Sequence, residues 1–264
     1  MTENAQSINV PIMAEVFAAG KPPEYLFWVG CAGAFDNRYQ KVARAFAALL
    51  NHLQVDYAVL GTEETCTGDP ARRAGNEMLF HMQAIQVMET FTMYEVKKII
   101  CICPHCFNVF KNEYPVLGGN YEVLHYTQFI AEQLRLGKLK PDTSKLAGKT
   151  VTFHDPCYLG RANGEYEAPR YILDTLGLER EEMKRSRSFS LCCGAGGAQM
   201  FKEAEKGDKE VFIERTQEAL ALKSDFLATS CPFCMTMLTD GLKYTGEEKM
   251  LNKDIAELLA EACL

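Results

Sequence analysis

Eleven cysteines stand in this chain of 264 residues: Cys31, Cys66, Cys101, Cys103, Cys106, Cys157, Cys192, Cys193, Cys231, Cys234 and Cys263. Most of them keep a register. Cys31 and Cys157 are 126 residues apart, as are Cys66 and Cys192, while Cys103 and Cys106 precede Cys231 and Cys234 by 128. Thiols at a fixed period in a reducing compartment bind metal or carry redox chemistry, because disulfides are rare there. The second set has a fifth member, Cys193, in "SLCCGAGGAQMF", where three glycines follow in four residues. Neighbouring cysteines rarely bond to one another, since the ring is strained. One zinc takes four ligands and so does a cubane iron–sulfur cluster. Five thiols, two of them adjacent, point to a larger or rearranged iron–sulfur core in which a thiolate bridges two irons. The glycines let backbone N–H groups approach sulfur. They also open a helix expected from Ala198 onward, whose N-terminus would face the anionic core.

In the first set Thr67 stands where the second has Cys193. Cys31, Cys66, Cys103 and Cys106 remain, and four thiols suit either a [4Fe–4S] cubane or a structural zinc. His105, inside "CPHC", is expected to be a bystander pointing away from the thiols. Cys101, one strand period before Cys103, reads as a core thiol, and Cys263 has no mate in the other set. His154 is a candidate catalytic residue: protonated, it would deliver the proton that a leaving thiolate needs. A plainer account is that Asp155 caps a turn before Pro156 while His154 packs in its strand. Arg161 would neutralise an anion or bridge to Glu165. Asp69, before Pro70, has the type and place of a helix N-cap.

These residues need elements to carry them. The register implies a tandem duplication: an arm over 1–21, a first repeat over 22–140 with the four-cysteine site, and a second over 149–264 with the five-cysteine site, joined by "GKLKPDTSKLAGK". "EYLFWVG", "VDYAVLG", "VKKIICICP", "KTVTFHD" and "SDFLATSCP" read as strands. "YQKVARAFAALLNHL", "ARRAGNEMLFHMQAIQVMETF", "APRYILDTLG" and "GDKEVFIERTQEALAL" read as helices. The expected fold is α/β, each half a short, mainly parallel sheet flanked by helices, with the halves related by pseudo-two-fold symmetry. Ligands of such sheets sit beyond the carboxyl ends of the strands, where these cysteines fall.

Composition narrows the function. A chain 47% hydrophobic can bury a core, and a net charge of -7 argues against nucleic acid. No apolar run is long enough to span a bilayer. "MTENAQSINVP" has no basic and apolar leader, which makes the cytoplasm the expected location.

The motif Cx34CCGx36CPxC, filled by Cys157, Cys192, Cys193, Cys231 and Cys234, resembles the cysteine-rich domain known for its CCG signature. That domain occurs twice in one of the subunits of heterodisulfide reductase and also in iron–sulfur subunits of glycolate, lactate and glycerol-3-phosphate oxidising systems. "FWVGCAGAFDNRYQ", "LGTEETCTGDPARRAGNE" and "HDPCYLGRANGEYEAPR" resemble its stand-alone, soluble bacterial members. The resemblance implies a noncubane [4Fe–4S] cluster on the five second-repeat cysteines, passing electrons to a disulfide or within a dehydrogenase or quinone chain. Thr67 departs from the pattern and puts a second noncubane cluster in doubt, leaving a [4Fe–4S] cluster or zinc in the first repeat. The ferredoxin module of many relatives is not in this sequence, so the expected partner is a ferredoxin-like or membrane-anchored iron–sulfur electron donor, or a flavoprotein. Two other functions share these residues: a zinc-bound scaffold, and a thiol oxidoreductase using CPHC as its redox pair.

Overall fold

The computed structural model describes residues 8–203 and 206–264. The first repeat holds strands β1 (Tyr25–Trp28), β2 (Tyr57–Ala58), β3 (Lys98–Cys101) and β4 (Glu122–His125), and the second holds β5 (Thr150–Phe153), β6 (Glu179–Glu181), β7 (Phe226–Thr229) and β8 (Leu251–Asp254). Each repeat forms one parallel sheet, in the orders β2-β1-β3-β4 and β6-β5-β7-β8. The central strands are buried along almost their whole length, as helices on both faces require.

In these orders the chain leaves β1 toward one edge and returns on its other side as β3. β5 and β7 stand in the same relation. Each pair therefore makes a topological switch point, where loops diverge and a crevice opens beyond the strand ends.

The repeats lock together reciprocally. The helix Ile255–Cys263, last in the second repeat, packs on Tyr39–His52 of the first, and Tyr126–Arg135 of the first packs on Glu167–Thr175 of the second. Each of these helices places an apolar stripe at helical spacing against one shared core. Val42, Phe46, Phe129 and Ile130 meet Ile172, Leu173, Ile255 and Leu258 there. Polar ties repeat the exchange. Arg38 grips Glu257 with two guanidinium nitrogens, and Gln128 donates to Glu165. This is the arrangement that a pseudo-two-fold duplication predicts.

Three expectations change. Residues 1–7 of the expected surface arm lie outside the described residues, but the rest of it is stitched to the first repeat. Ile12 bridges Val59 beside β2, and Met13 is buried. The single helix read over 71–91 is two, Asp69–Arg73 and Glu77–Met93, broken where Gly75 takes φ +87° and Asn76 caps the second. The helix expected from Ala198 does not form. Ala198 is left-handed (φ 63°), only a single 3-10 turn, Gln199–Phe201, follows, and the next helix is Val211–Leu220. Gly196 and Gly197 make a helix start entropically expensive, and the lysine- and glutamate-rich residues beyond offer little apolar surface to bury.

Candidate metal centres

Both cysteine sets gather at the switch points. Beyond β1 the chain turns at Gly30 (φ 74°) into the short helix Gly30–Phe35, which carries Cys31. Beyond β3, Cys103 caps the helix Pro104–Asn108, and beyond β7, Cys231 caps Pro232–Thr245. Proline at the first helical position needs no N–H partner and leaves the next amides free. Those amides serve sulfur, since Cys103 accepts from the backbone of Cys106 and Cys231 from that of Cys234.

The loops after β2 and β6 match closely. Gly68 donates its N–H to Cys66 Sγ at 3.4 Å and Gly194 to Cys192 Sγ at 3.3 Å, and both glycines sit at φ 90°. A Cβ on Gly68 would stand 2.7 Å from the Phe80 ring, and one on Gly194 would stand 3.3 Å from Val211 Cβ. Glycine is thus fixed by dihedral at both positions, and at Gly68 by space as well. Thr67 and Cys193, one residue before these glycines, occupy equivalent buried positions.

Cys31, Cys66, Cys103 and Cys106 line one pocket with Trp28 and Thr67. Trp28 Nε1 is buried and has no partner among the described residues. Four thiolates around a single zinc stand roughly 3.8 Å apart, given a zinc–sulfur distance of about 2.3 Å. Among the described residues only His154, Cys193 and Cys234 bring three ligand atoms within 4.8 Å of one another. The first quartet is therefore spread around a space, which suits a multi-iron core with an N–H donor at its wall. Glu64 braces this rim by accepting from the backbone of Val29 and Gly30. Burial pushes its carboxyl up to about 7, against the pull of those two amides.

The second set is a continuous run. Cys157 is within hydrogen-bonding reach of Cys192, Cys192 of Cys193, Cys193 of Cys234, and Cys234 of Cys231. Cys193, Cys231 and Cys234 are buried, and Cys157 and Cys192 partly so. Thiols this close cannot all ionise unaided. Hydrogen bonds from Cys157 and then Cys193 draw the Cys192 thiol far down, while that same bond and burial push Cys157 up. Burial opposes ionisation of Cys231, but bonds from Cys234 and His105 bring it down to about 5. A cationic core would let all five be thiolates together. The donor set fits an iron–sulfur group, soft and short of positive charge.

His154 is buried in the wall of this site. Its Nδ1 accepts from Arg215 Nε at 3.0 Å, which places the ring proton on Nε2, and Nε2 has no partner among the described residues. Burial, then the Arg215 charge, hold its pKa at about 3. The expected protonated acid does not suit these surroundings; a neutral N–H donor does. Arg161 donates to the Ser190 carbonyl rather than to Glu165. The Asp155 side chain does not cap the turn that follows it. It takes both terminal nitrogens of buried Arg170, at 2.7 and 2.9 Å, and the Arg187 N–H at 2.7 Å.

Two first-repeat residues also read differently in three dimensions. Asp69 lies inside its helix, the cap position being Gly68, and its buried carboxylate holds His105 Nδ1 at 2.9 Å. His105 is no bystander but a buried ring wedged between the two cysteine sets. Its role could not be read from CPHC, because its partners come from distant loops. Cys101 is in the core, and Cys263 stands apart in the last helix.

The model of the cysteine-rich domain CCG matches residues 25–111 and again 151–239. The chain is 45% identical over 264 residues to the "Probable iron-sulfur-binding oxidoreductase FadF" of Bacillus subtilis, covering 99% of this chain and 37% of that protein. It is 46% identical over 250 residues to the "EtfAB:quinone oxidoreductase" of Syntrophomonas wolfei, covering 92% and 35%. Similarity to a subunit of the dihydromethanophenazine:CoB--CoM heterodisulfide reductase of Methanosarcina barkeri is 36% over 250 residues, covering 90% and 59%. The chain thus spans between about a third and three fifths of the length of these curated relatives.

Proposed function

Since the chain belongs to the CCG cysteine-rich domain family, carrying the domain twice, we propose that it is the electron-transferring iron–sulfur part of an oxidoreductase of the heterodisulfide reductase type. The observation that carries this reading is the unbroken run of five thiols from Cys157 through Cys192, Cys193 and Cys234 to Cys231. In this reading those five hold a noncubane [4Fe–4S] cluster, and Cys31, Cys66, Cys103 and Cys106 hold a second group of [4Fe–4S] size. Bound there, such clusters supply one-electron storage at potentials set by charge, burial and hydrogen bonds. The protein's part is to shape those settings. His154 Nε2–H and the Gly194 amide are donors beside sulfur, and buried aromatics keep water from the inner thiols. Cys157 and Cys192, the more exposed thiols of the second set, face the side where a disulfide or a partner's redox group would approach.

The electron donor would be a ferredoxin-like or membrane-anchored iron–sulfur partner, or a flavoprotein; one relative is named for electron transfer to quinone. No helix among the described residues is long and apolar enough to cross a membrane. A site built on thiolates needs a reducing compartment, and the proposal places the protein in the cytoplasm.

Iron and acid-labile sulfide, measured on protein purified without oxygen and paired with an EPR spectrum, test the reading. About eight irons with matching sulfide are expected. About four irons with one zinc would confine redox chemistry to the second repeat. Zinc without sulfide would overturn it. Thr67→Cys supplies the missing thiol at a position whose flanking Gly68 already has the Gly194 geometry. The first-site EPR signal is expected to move toward that of the second. An unchanged signal would mean that the cavity wall, not the thiol count, decides the cluster type.

A further inference from the structure

His105 belongs to the first repeat by sequence, lying between two of that site's cysteines, but its ring is packed among residues of the second. It stacks on Tyr158, the residue after Cys157, with centroids 4.1 Å apart and planes 28° apart. It meets Phe233, which lies between Cys231 and Cys234 in "CPFC", edge-on at 4.7 Å. Nδ1 is taken by Asp69 at 2.9 Å, so the opposite edge of the ring, with Nε2, is left for Cys231, which lies within its hydrogen-bonding reach. His105 is 5% exposed and Asp69 3%, so water does not compete for either bond. A carboxylate behind a histidine fixes the direction in which the ring points, as it does for histidines next to metals.

We propose that His105 is a positioning residue of the second centre: anchored by Asp69, it donates an N–H···S hydrogen bond to Cys231 across the repeat boundary and raises the reduction potential of the group that Cys231 helps to bind. The inference rests on the cluster assignment above. A hydrogen bond to a ligating sulfur draws off negative charge, so the reduced state gains more from it than the oxidised one. The same contact makes the second centre sensitive to the first, because the loop that carries His105 is the loop that supplies Cys103 and Cys106. Two sites that are far apart in sequence therefore share one side chain.

The test is an EPR-monitored redox titration of the intact protein under anaerobic conditions, for wild type, His105→Phe and His105→Gln. Phenylalanine keeps the stack on Tyr158 and removes the donor, while glutamine keeps an N–H donor. His105→Phe is expected to lower the second-centre midpoint, with iron content held and the g-values shifted, and His105→Gln to recover part of the lost potential. An unchanged midpoint in His105→Phe, or equal shifts in both variants, would overturn the proposal, because packing alone would then account for the residue. If His105→Phe loses iron, the comparison of His105→Gln with wild type decides: a midpoint below that of wild type supports the bond, and an unchanged or higher one overturns it. A wild-type protein that binds iron but shows no second-centre signal would overturn the cluster assignment itself, a result distinct from an unmoved midpoint.

Discussion

Cys193→Ser is expected to abolish the wild-type spectrum of the second centre while iron stays bound through Cys157, Cys192, Cys231 and Cys234. Cys193 sits mid-run, within reach of both Cys192 and Cys234, and its ligand atom lies within 4.8 Å of those of Cys234 and His154. It is 3% exposed, so no other ligand from solvent can replace it easily. Serine at neutral pH keeps its proton and is a poor iron ligand, and its buried hydroxyl without a partner costs about 1–3 kcal/mol. Four thiolates suffice for a cubane, which makes conversion to a cubane-like signal the expected result rather than loss of metal. Electron transfer through the second centre should fall to background. Retention of the wild-type EPR signal in a fully folded variant would sink the five-ligand assignment.

The gathering of the cysteines into two sets was legible in sequence because its information is local and periodic. A CPxC pair at a strand end, a CCG loop and a repeat register need no knowledge of tertiary contacts. The central strands and the duplication were legible for the same reason, through short apolar runs and the constant offset, whereas the edge strands β6 and β8, "ERE" and "LNKD", carry no such run. What surrounds the ligands was not. Asp69 next to Pro70 has every local mark of an N-cap, but Gly68 takes that place because only a left-handed residue fits against Phe80 there. His105 carries no local sign that Tyr158 and Phe233, from the other repeat, will enclose it. Arg215, buried in an amphipathic helix, reads as a surface residue until the fold brings His154, Ser190 and the Arg185 carbonyl to it. The helix misread after Ala198 failed for a different reason: Gly196 and Gly197, just beyond the Gly194 amide that reaches sulfur, make a helix start expensive.

Removing Arg170 tests how those surroundings hold the second centre. Arg170 is 1% exposed, and its guanidinium makes a two-pronged bond to Asp155, a second pair of bonds to Glu182 and one to the Tyr166 carbonyl. Asp155, 4% exposed, lies two residues before Cys157. It also accepts from the Arg187 amide, and its own carbonyl accepts from the Ser190 hydroxyl, two residues before Cys192. One ion pair therefore ties together the two loops that deliver Cys157, Cys192 and Cys193. Arg170→Met keeps most of the volume but leaves Asp155 buried with a single amide partner, and breaking a buried pair in this way costs about 3–5 kcal/mol. The midpoint of urea unfolding should fall accordingly, and the second centre should bind less iron while the first, on separate loops, keeps its own. Arg170→Met combined with Asp155→Asn should recover part of the stability, because the uncompensated charge is then gone. Iron loading, however, should stay low, since the amide cannot restore the clip between the loops. A loss below about 1 kcal/mol for Arg170→Met, within the range of a surface pair, would show that the loops are held without this contact.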